Sequence, residues 1–406
     1  MNSPSAEPYR PPAHVPAELC WDHDLDSYPE EFEDPYEACT AIHQGPDVIW
    51  ARGAYRGNPG WVMTRFAHLQ EVAMDHVRFS PSDNRDASGF LGFDLKLLPF
   101  EADPPDHTFY RLLVQRGFQP GAVRALESSI TDACSELIDN FHSRNGCEFV
   151  SEFSSFLPSR IFLQLMGMPI EKLQQFLEWE NGFMRGPTLE VRRHATQSIY
   201  NYFKQYLAQC RRNPKNDLVS HIATGEVNGR KLSDDEAIGT CVLLYIGGLD
   251  TVKSSLSWYL RHLALNPDLQ ERLRSQPQLI PTAVNELLRA YGVTTNGRKV
   301  VADTEFHGVQ MRRGDIVALP SFLSARDARA YVEPHKVDID RKNAAHMTLG
   351  TGIHLCQGHV LAKTEMRIVL EQFLKRFRNI HLPKQADIQW TSRGVWGFQR
   401  LPLAWD

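Results

Sequence analysis

The sequence predicts a mainly α-helical protein of the α+β class, on three observations. Apolar residues recur at three- and four-residue spacing through most of the chain after His107, as in helices packed against a core. One such run opens at Ser233 and continues to Asn266, long enough to cross a whole domain. Short alternating stretches follow between residues 300 and 320, which predicts small late sheets and not repeated βαβ units.

The N-terminal part of the chain is predicted to contain little helix. Residues 1–40 are rich in proline, which predicts an extended arm, and residues 41–406 are predicted to form a single domain. β-Branched and aromatic residues over 48–63, interrupted by the turn-forming residues 57–60, predict a hairpin. The first sheet is therefore expected to begin there.

The middle and the end of the chain are predicted to be mostly helical. The predicted spans are 109–126, 129–143, 151–166, 170–184, 189–212, 267–274, 283–289 and 359–376. The long helix begins at Ser233, where Glu236 completes a capping-box pattern, and ends before Asn266. Gly308 and Gly314 mark turns between the late strands.

Charge and composition exclude several classes of function. The 406 residues include 44 Lys and Arg against 49 Asp and Glu, a formal net charge of −5, which gives no general attraction to nucleic acid or anionic lipid. The first residues lack the apolar core of a secretory signal, and the longest apolar stretch, 241–249, is too short to span a bilayer. We therefore expect a cytoplasmic protein that binds neither nucleic acid nor membrane. We also expect it to be a monomer.

Seven cysteines are scattered along the chain without a C-x-x-C pair, which predicts neither a disulfide framework nor a zinc site. Most are expected to be small buried hydrophobic residues. Cys356 differs, because it lies in a glycine-rich segment directly before a predicted helix. The helix dipole and free backbone N–H groups there stabilise a thiolate. Cys356 is therefore a candidate metal ligand, nucleophile or redox thiol, although no second cysteine follows to resolve a redox thiol.

The spacing around Cys356 is more specific than the cysteine itself. From Gly350 to Ala362 the pattern G-x-G-x-H-x-C-x-G-x-x-L-A resembles the haem-ligand loop of the cytochrome P450 family. The resemblance implies the P450 fold, haem b as cofactor and Cys356 as the axial ligand of its iron. Gly350 and Gly358 would let the backbone approach closely. One departure is Leu349, which stands where the family usually has phenylalanine.

Two adjacent glycines, Gly247 and Gly248, interrupt the long helix, at a cost of about 1 kcal/mol each. Close packing against a neighbouring helix would explain them structurally. The resemblance implies instead a groove for oxygen beside the haem, with Asp250 and Thr251 delivering protons during oxygen activation. Arg185 falls where a bacterial relative pairs this acid with an arginine.

Cationic and hydrogen-bonding side chains are needed around buried haem propionates. By resemblance this role falls to His107 and Arg111, four residues apart on one predicted helix, and to Arg298 and His354. Each alone would more often be a surface cation or a core histidine. Their order along the chain matches the family.

An E-x-x-R spacing places Glu286 and Arg289 on one helix face. Such a pair is usually a solvated feature of a helix surface. Here it precedes the cysteine segment, and the resemblance implies a buried pair joined by Arg341. The expected role of the three residues is structural.

The resemblance covers nearly all of the chain and is strongest to the bacterial camphor hydroxylase branch, in residues 227–230, 247–252, 305–310 and 401–405. It implies a substrate pocket. The residues that match its walls are Leu95, Met184, Leu243, Ile246, Gly247, Thr294, Gly394 and Val395.

The pocket residues differ from those that bind camphor. Leu95 stands where the camphor hydroxylase has a tyrosine whose hydroxyl binds the camphor carbonyl. Leucine cannot donate that hydrogen bond, so we expect weak camphor binding. Gly394 and Val395 replace bulkier side chains and should enlarge the cavity. We therefore expect an ionone-like norisoprenoid as substrate, with a cyclic monoterpenoid second. Phe90 and Phe93 flank a loop of the same region.

The resemblance also implies external electron donors, since the chain has no flavin or nicotinamide motif. These would be a [2Fe–2S] ferredoxin and an FAD-containing ferredoxin reductase. The ferredoxin would dock around Arg111 and Gln357, where Thr108 and Asn343 replace basic residues of the family. Three alternatives remain: a haem-thiolate sensor or carrier without turnover, a peroxygenase, and a non-haem thiol enzyme.

Overall fold

The computed structural model describes residues 9–82, 89 and 94–406, and most of these residues are helical. Its α-helices are α1 (Glu37–His43), α2 (Phe66–Met74), α3 (Asp106–Gln115), α4 (Pro120–Asp139), α5 (Phe156–Met166), α6 (Leu173–Arg185), α7 (Leu189–Arg212), α8 (Leu218–Thr224), α9 (Asp234–Leu265), α10 (Pro267–Ser275), α11 (Ile280–Ala290), α12 (Ser321–Ala325) and α13 (His359–Arg376). The predicted mainly α, α+β class is confirmed.

The strands form one larger sheet and several two-stranded ribbons. They are β1 (Cys20–Asp24), β2 (Val48–Tyr55), β3 (Asn58–Met63), β4 (Phe79–Ser80), β5 (Gly146–Glu148), β6 (Glu226–Val227), β7 (Arg230–Lys231), β8 (Thr295–Val300), β9 (Thr304–Phe306), β10 (Val309–Met311), β11 (Ile316–Pro320), β12 (Gln389–Thr391), β13 (Gly397–Arg400) and β14 (Pro402–Ala404). The six strands of the larger sheet lie in the order β1-β2-β3-β11-β8-β4. β1 pairs parallel with β2, and β3 pairs parallel with β11.

Part of the N-terminal segment belongs to this sheet. Strand β1 pairs with β2, placing Cys20 opposite Trp50. Just after β1, the carbonyl oxygen of Asp26 accepts a hydrogen bond from the hydroxyl of Ser392. This bond ties the N-terminal segment to the loop after β12. Backbone pairing fixes these residues against the body of the protein, and the expected extended arm over residues 1–40 stays a prediction. The expected single domain over 41–406 stays a prediction.

The predicted hairpin is present as β2 and β3, but its turn lies earlier than expected. Tyr55 pairs with Asn58, so the turn residues are Arg56 and Gly57. Both have positive φ, 52° and 76°, as a tight hairpin turn requires. The expected turn over residues 57–60 is therefore displaced, because β3 begins at Asn58.

Two helices and the start of the long helix agree with the prediction. Helices α7 and α13 have the predicted bounds, and the Thr188 hydroxyl accepts a hydrogen bond from the Val191 N–H at the start of α7. The capping box between Ser233 and Glu236 begins α9.

The region around residues 109–143 differs from the prediction. Helix α3 ends at Gln115, and α4 begins at Pro120, a residue suited to the first turn of a helix because it has no N–H to satisfy there. The predicted helices 109–126 and 129–143 are therefore replaced by α3 and the longer α4. The predicted helix 151–166 is divided into a π turn, Val150–Ser154, and α5.

Helix α9 is the centre of the larger of two hydrophobic clusters. Its 32 residues extend for about 48 Å. It packs against α5, α7, α13 and β13, and Trp258 donates a 3.0 Å hydrogen bond to the Trp396 carbonyl. The smaller cluster covers the main sheet around Trp50 and Trp61. None of the helices in the described ranges has the length and apolar composition of a membrane span.

Candidate active site

The cysteine segment is a loop whose backbone folds back on itself before α13. The Cys356 N–H donates a 2.7 Å hydrogen bond to the Leu349 carbonyl. Gly350 has a φ of +72°, and a Cβ there would lie 3.1 Å from the His354 carbonyl oxygen. The Thr348 hydroxyl donates a 2.7 Å hydrogen bond to the Leu288 carbonyl, which anchors the loop to α11. Backbone contacts therefore fix the position of the Cys356 sulfur.

The surroundings of Cys356 have opposite effects on the pKa of its thiol. Burial raises the pKa of its thiol, while the Gly358 N–H and Arg111 lower it. The predicted backbone stabilisation is present and Arg111 adds to it, but together they do not outweigh the effect of burial on the pKa of Cys356 in the protein alone. A bound metal ion would deprotonate such a thiol, because coordination favours the thiolate.

The four candidate propionate residues lie close to this loop. The rings of His107 and His354 meet edge to face with centroids 4.5 Å apart. Arg298 and His354 line a cavity together with Gly350. Arg111 lies near enough to Cys356 for each to shift the pKa of the other. The structure thus brings together residues that are far apart in the sequence.

Several buried polar atoms in this group lack partners. His107 Nε2, His354 Nε2 and Arg298 Nε have no hydrogen-bond partner among the residues that the structure describes. Burial lowers the pKa of His107 to about 4 and that of His354 to about 2. Both histidines are therefore neutral at neutral pH, and the cationic charge here comes from Arg298 and Arg111.

The two glycines of α9 are not required by helix packing. A Cβ on Gly247 would meet nothing within 4 Å, and one on Gly248 would meet only Phe162, at 3.8 Å. The Thr251 hydroxyl donates a 2.9 Å hydrogen bond to the Gly247 carbonyl. The structural explanation by close helix contact is therefore not supported at Gly247, which borders open space.

Asp250 is buried and held by two cations. Arg185 Nη2 lies 2.6 Å and Lys253 Nζ 2.8 Å from the same oxygen, Oδ1. The other oxygen, Oδ2, is buried without a hydrogen-bond partner among the described residues. Burial by itself would raise the pKa of Asp250, but Lys253 and Arg185 lower it to about 2. The predicted pairing with Arg185 is present.

The sequence reasoning missed three buried charged groups near these elements. Lys253 bridges Asp250 to Glu180 on α6, with Nζ 3.1 Å from Glu180 Oε1. Glu365 on α13 is 3% exposed, and burial raises its pKa to about 8. A lysine three residues after an acid, inside a largely apolar helix, was the available signal for Lys253.

The candidate pocket residues lie on several segments of the chain. A Cβ on Gly394 would lie 3.9 Å from Met184 Cε, and Thr294 pairs with Val395 in an isolated β-bridge. Leu243 and Ile246 are partly buried on α9, as are Met184 and Val395 on their own segments.

Leu95 packs against a different part of α9. It contacts the position of Gly239, about two turns before Gly247, and lines a different cavity with Pro104, Tyr110 and Glu236. Gly239 is one turn before Leu243, and the expected place of Leu95 in the pocket stays a prediction. Residues 90 and 93, which were also expected near the pocket, lie outside the described residues.

The E-x-x-R residues form a buried cluster. Glu286 is 1% and Arg289 0% exposed, and their side chains make two hydrogen bonds of 2.8 and 3.0 Å. Arg341 Nε lies 3.1 Å from Glu286 Oε1. Arg289 also donates to the carbonyls of Ala325, Pro334 and Lys336. The interpretation as a solvated pair is excluded, and the geometry agrees with a structural role.

Comparison with known proteins gives consistent matches. The family model described as cytochrome P450 matches residues 181–402. The probable cytochrome P450 127A1 of Sinorhizobium fredii is 31% identical over 402 residues, covering 97% of this chain and 96% of that protein. The steroid C26-monooxygenase of Mycobacterium tuberculosis is 32% identical over 305 residues, covering 73% of this chain and 82% of that protein.

Solved structures agree with the sequence matches. The crystal structures of CYP101J2 and CYP101C1 each superpose with a TM-score of 0.88 at 30% identity, covering 98% of this chain and all of theirs. A helical fold of this kind built around a cysteine loop defines the haem-thiolate oxidoreductases. The chain belongs to the cytochrome P450 family.

Haem b with a cysteine thiolate ligand is the cofactor of this family, and the described residues fit it. Cys356 supplies the sulfur donor on a fixed loop. The unpartnered nitrogens of His107, His354 and Arg298 are donors for two carboxylates. The open space at Gly247 is the kind of cradle that a flat group needs.

Proposed function

We propose that this protein is a haem-thiolate monooxygenase that hydroxylates a small apolar terpenoid or norisoprenoid, similar to an ionone. The observation that carries the proposal is the combination of the fixed Cys356 loop with an acid and an alcohol, Asp250 and Thr251, on a helix that packs against α13. When bound, the haem supplies the chemistry of oxygen activation and insertion.

Each candidate residue has a defined task in this proposal. Cys356 holds the iron through its sulfur. Arg111 and Arg298 neutralise the two propionates, and His107 and His354 donate hydrogen bonds to them. The four residues thereby orient the cofactor at the cysteine loop.

The proton-handling residues lie on α9. Thr251 presents its hydroxyl beside the open space at Gly247. Asp250 passes protons through Oδ2, the oxygen that neither cation holds. Without such a relay, reduced oxygen is released before it reaches the substrate.

The substrate class is inferred from the side chains of the pocket. Met184, Leu243, Ile246 and Val395 are apolar and partly buried, and Gly394 adds no side chain. Apolar walls of this kind select by shape and by burial of hydrocarbon, at about 0.8 kcal/mol per CH₂ group. A compact hydrocarbon ring system fits better than a charged substrate.

The electron donor is proposed to be a [2Fe–2S] ferredoxin reduced by an FAD-containing reductase. Arg111 lies on α3 near Cys356, and the next residue of that helix, Leu112, is 59% exposed. A basic and apolar patch of this kind suits an acidic partner, although the net charge of the chain is negative. Turnover should therefore weaken as salt increases.

The test uses the purified holoenzyme with reductase and ferredoxin. We expect a thiolate-type carbon monoxide spectrum, a change of spin state on titration with ionone, a smaller change with camphor, and hydroxylated ionone as product. A spectral change without product in the presence of reductase and ferredoxin would instead indicate a carrier. Cys356→Ala should lose the thiolate-type spectrum, whereas Cys20→Ser, at a partly exposed cysteine of β1, should keep it. A Cys356→Ala protein with an unchanged spectrum would refute the ligand assignment.

A further inference from the structure

Lys253 is a lysine buried inside the protein on the central helix, one turn after Asp250. It is 7% exposed, while Asp250 is 2% and Glu180 3% exposed. Burying an ammonium group is costly unless opposite charges compensate it. Lys253 has two such charges, since its Nζ lies 2.8 Å from Asp250 Oδ1 and 3.1 Å from Glu180 Oε1.

Three buried charges and the partly buried Arg185 form one balanced group. Arg185 and Lys253 are the cations, and Asp250 and Glu180 are the anions, so the formal charge of the group is zero. The Tyr245 hydroxyl borders Glu180 and donates a hydrogen bond to the Phe176 carbonyl. Two helices supply the group: Glu180 and Arg185 lie on α6, and Asp250 and Lys253 lie on α9.

The geometry divides the two oxygens of Asp250 into different roles. Both cations approach Oδ1, from α6 and from one turn along α9, and together they fix the carboxylate against rotation. Oδ2 is left buried and without a partner in the described part of the chain. With one cation, the carboxylate could still pivot about a single ion pair. With two cations, one on each helix, the position of Oδ1 is fixed from two directions.

We propose that Lys253 is a positioning residue of the proton relay, which keeps Asp250 ionised and its Oδ2 directed away from the ion pairs, with Glu180 as the counter-ion that makes a buried lysine tolerable. The proposal rests on the relay role of Asp250 in the proposed function. Lys253 acts through Asp250 and is not assigned any contact with substrate or cofactor.

The electrostatic consequence follows from the distances. An ammonium group 2.8 Å from a carboxylate strongly favours its charged form. Removing that ammonium leaves Arg185 as the one cation bonded to Asp250 among the described residues, and the pKa of Asp250 must rise from about 2. Glu180 then loses its ion pair with Lys253 and becomes easier to protonate.

The competing interpretation is structural, with Lys253 serving only to neutralise Glu180. The two interpretations separate when both members of that pair are removed. In the Lys253→Met/Glu180→Gln double variant the charge of the group stays zero and no carboxylate is left without a cation. A structural lysine would be dispensable there, whereas a lysine that controls Asp250 would not.

The experiment compares Lys253→Met, the double variant and Lys375→Met, an exposed-lysine control on α13. Aspartate carboxyls labelled with ¹³C are titrated in the carbon monoxide form of the holoenzyme, and the Asp250 signal is assigned by its loss in Asp250→Asn. We expect the midpoint of the Asp250 titration to rise by about one pH unit or more in both Lys253 variants, because the ammonium group next to Asp250 is gone. A shift of one unit corresponds to about 1.4 kcal/mol. The Lys375→Met titration should match the wild type.

Product formed per electron pair, measured against pH, is the second readout. We expect a new inflection in both Lys253 variants in the range where Asp250 titrates. A double variant with the wild-type Asp250 midpoint and wild-type pH profile would overturn the proposal. If Asp250→Asn keeps full coupling, the relay assignment in the proposed function fails, while the carboxyl titration still decides whether Lys253 controls Asp250.

Discussion

Thr251 Oγ1 donates a 2.9 Å hydrogen bond to the carbonyl oxygen of Gly247, one turn earlier on α9. The bond directs the hydroxyl to the segment where a Cβ would meet open space, and it draws on a carbonyl of the helix ladder. The alcohol and the part of the helix that borders open space are therefore one local structure.

Thr251→Ala should keep haem and substrate binding but reduce the product formed per electron pair by about tenfold or more, because the hydroxyl that passes protons is gone. Hydrogen peroxide should increase correspondingly. The measurement is product and peroxide against electrons consumed. Thr251→Ser retains the hydroxyl and should retain most of the coupling. Equal coupling in the alanine variant and the wild type would remove Thr251 from the relay.

Gly247→Ala and Gly248→Ala form a matched pair. Both replace a helical glycine, so each should stabilise the fold by up to about 1 kcal/mol in a denaturant titration. The Gly247 Cβ would occupy open space, whereas the Gly248 Cβ would lie in ordinary contact, 3.8 Å from Phe162. We expect substrate-induced spin change to weaken mainly in Gly247→Ala. Identical titrations in the two variants would contradict a groove at Gly247.

Glu365 predicts a specific pH dependence of stability. Its pKa is raised by burial from 4.5 to about 8 in the folded protein, so the folded state binds a proton that the unfolded state releases. The stability associated with protonated Glu365 is present below about pH 4.5 and is lost as pH rises through about 8.

The variant Glu365→Gln keeps the uncharged shape, so it should lose this part of the pH dependence. Urea unfolding at about pH 5 and about pH 8 should show little difference between variant and wild type at the lower pH and a clear gain for the variant at the higher. Parallel curves for the two proteins would show that Glu365 is ionised in the fold.

Glu286→Gln should destabilise the protein by about 3–5 kcal/mol, because Arg289 would remain buried without its carboxylate. The comparison is Asp340→Asn, which breaks the exposed pair between Arg272 and Asp340 and should change the unfolding midpoint little. Denaturant titration of both variants is the measurement. Similar losses in the two would argue against a special role for the buried cluster.

Short patterns in the sequence were enough for much of the fold and for the cysteine loop. Helices α7 and α13 were predicted with the correct bounds from the spacing of their apolar residues, and in α7 the Thr188 cap agrees with the predicted start. The signals for these elements lie within a few residues of each other, and local hydrogen bonds decide them.

Features that depend on distant contacts were not predictable in the same way. Lys253 and Glu180 are 73 residues apart, and nothing local indicates that α6 and α9 bring them together. The pairing of strand β1 with β2 is another contact that the proline-rich composition of the segment does not indicate.

The hydrogen bond from Ser392 to the Asp26 carbonyl joins the N-terminal segment to the stretch that continues into Gly394 and Val395. Two candidate pocket residues therefore depend on a tether near the start of the chain. Removing the residues up to and including Asp26 would break this hydrogen bond. We expect the shortened protein to show an altered preference among substrates of different size, in addition to any loss of folded protein.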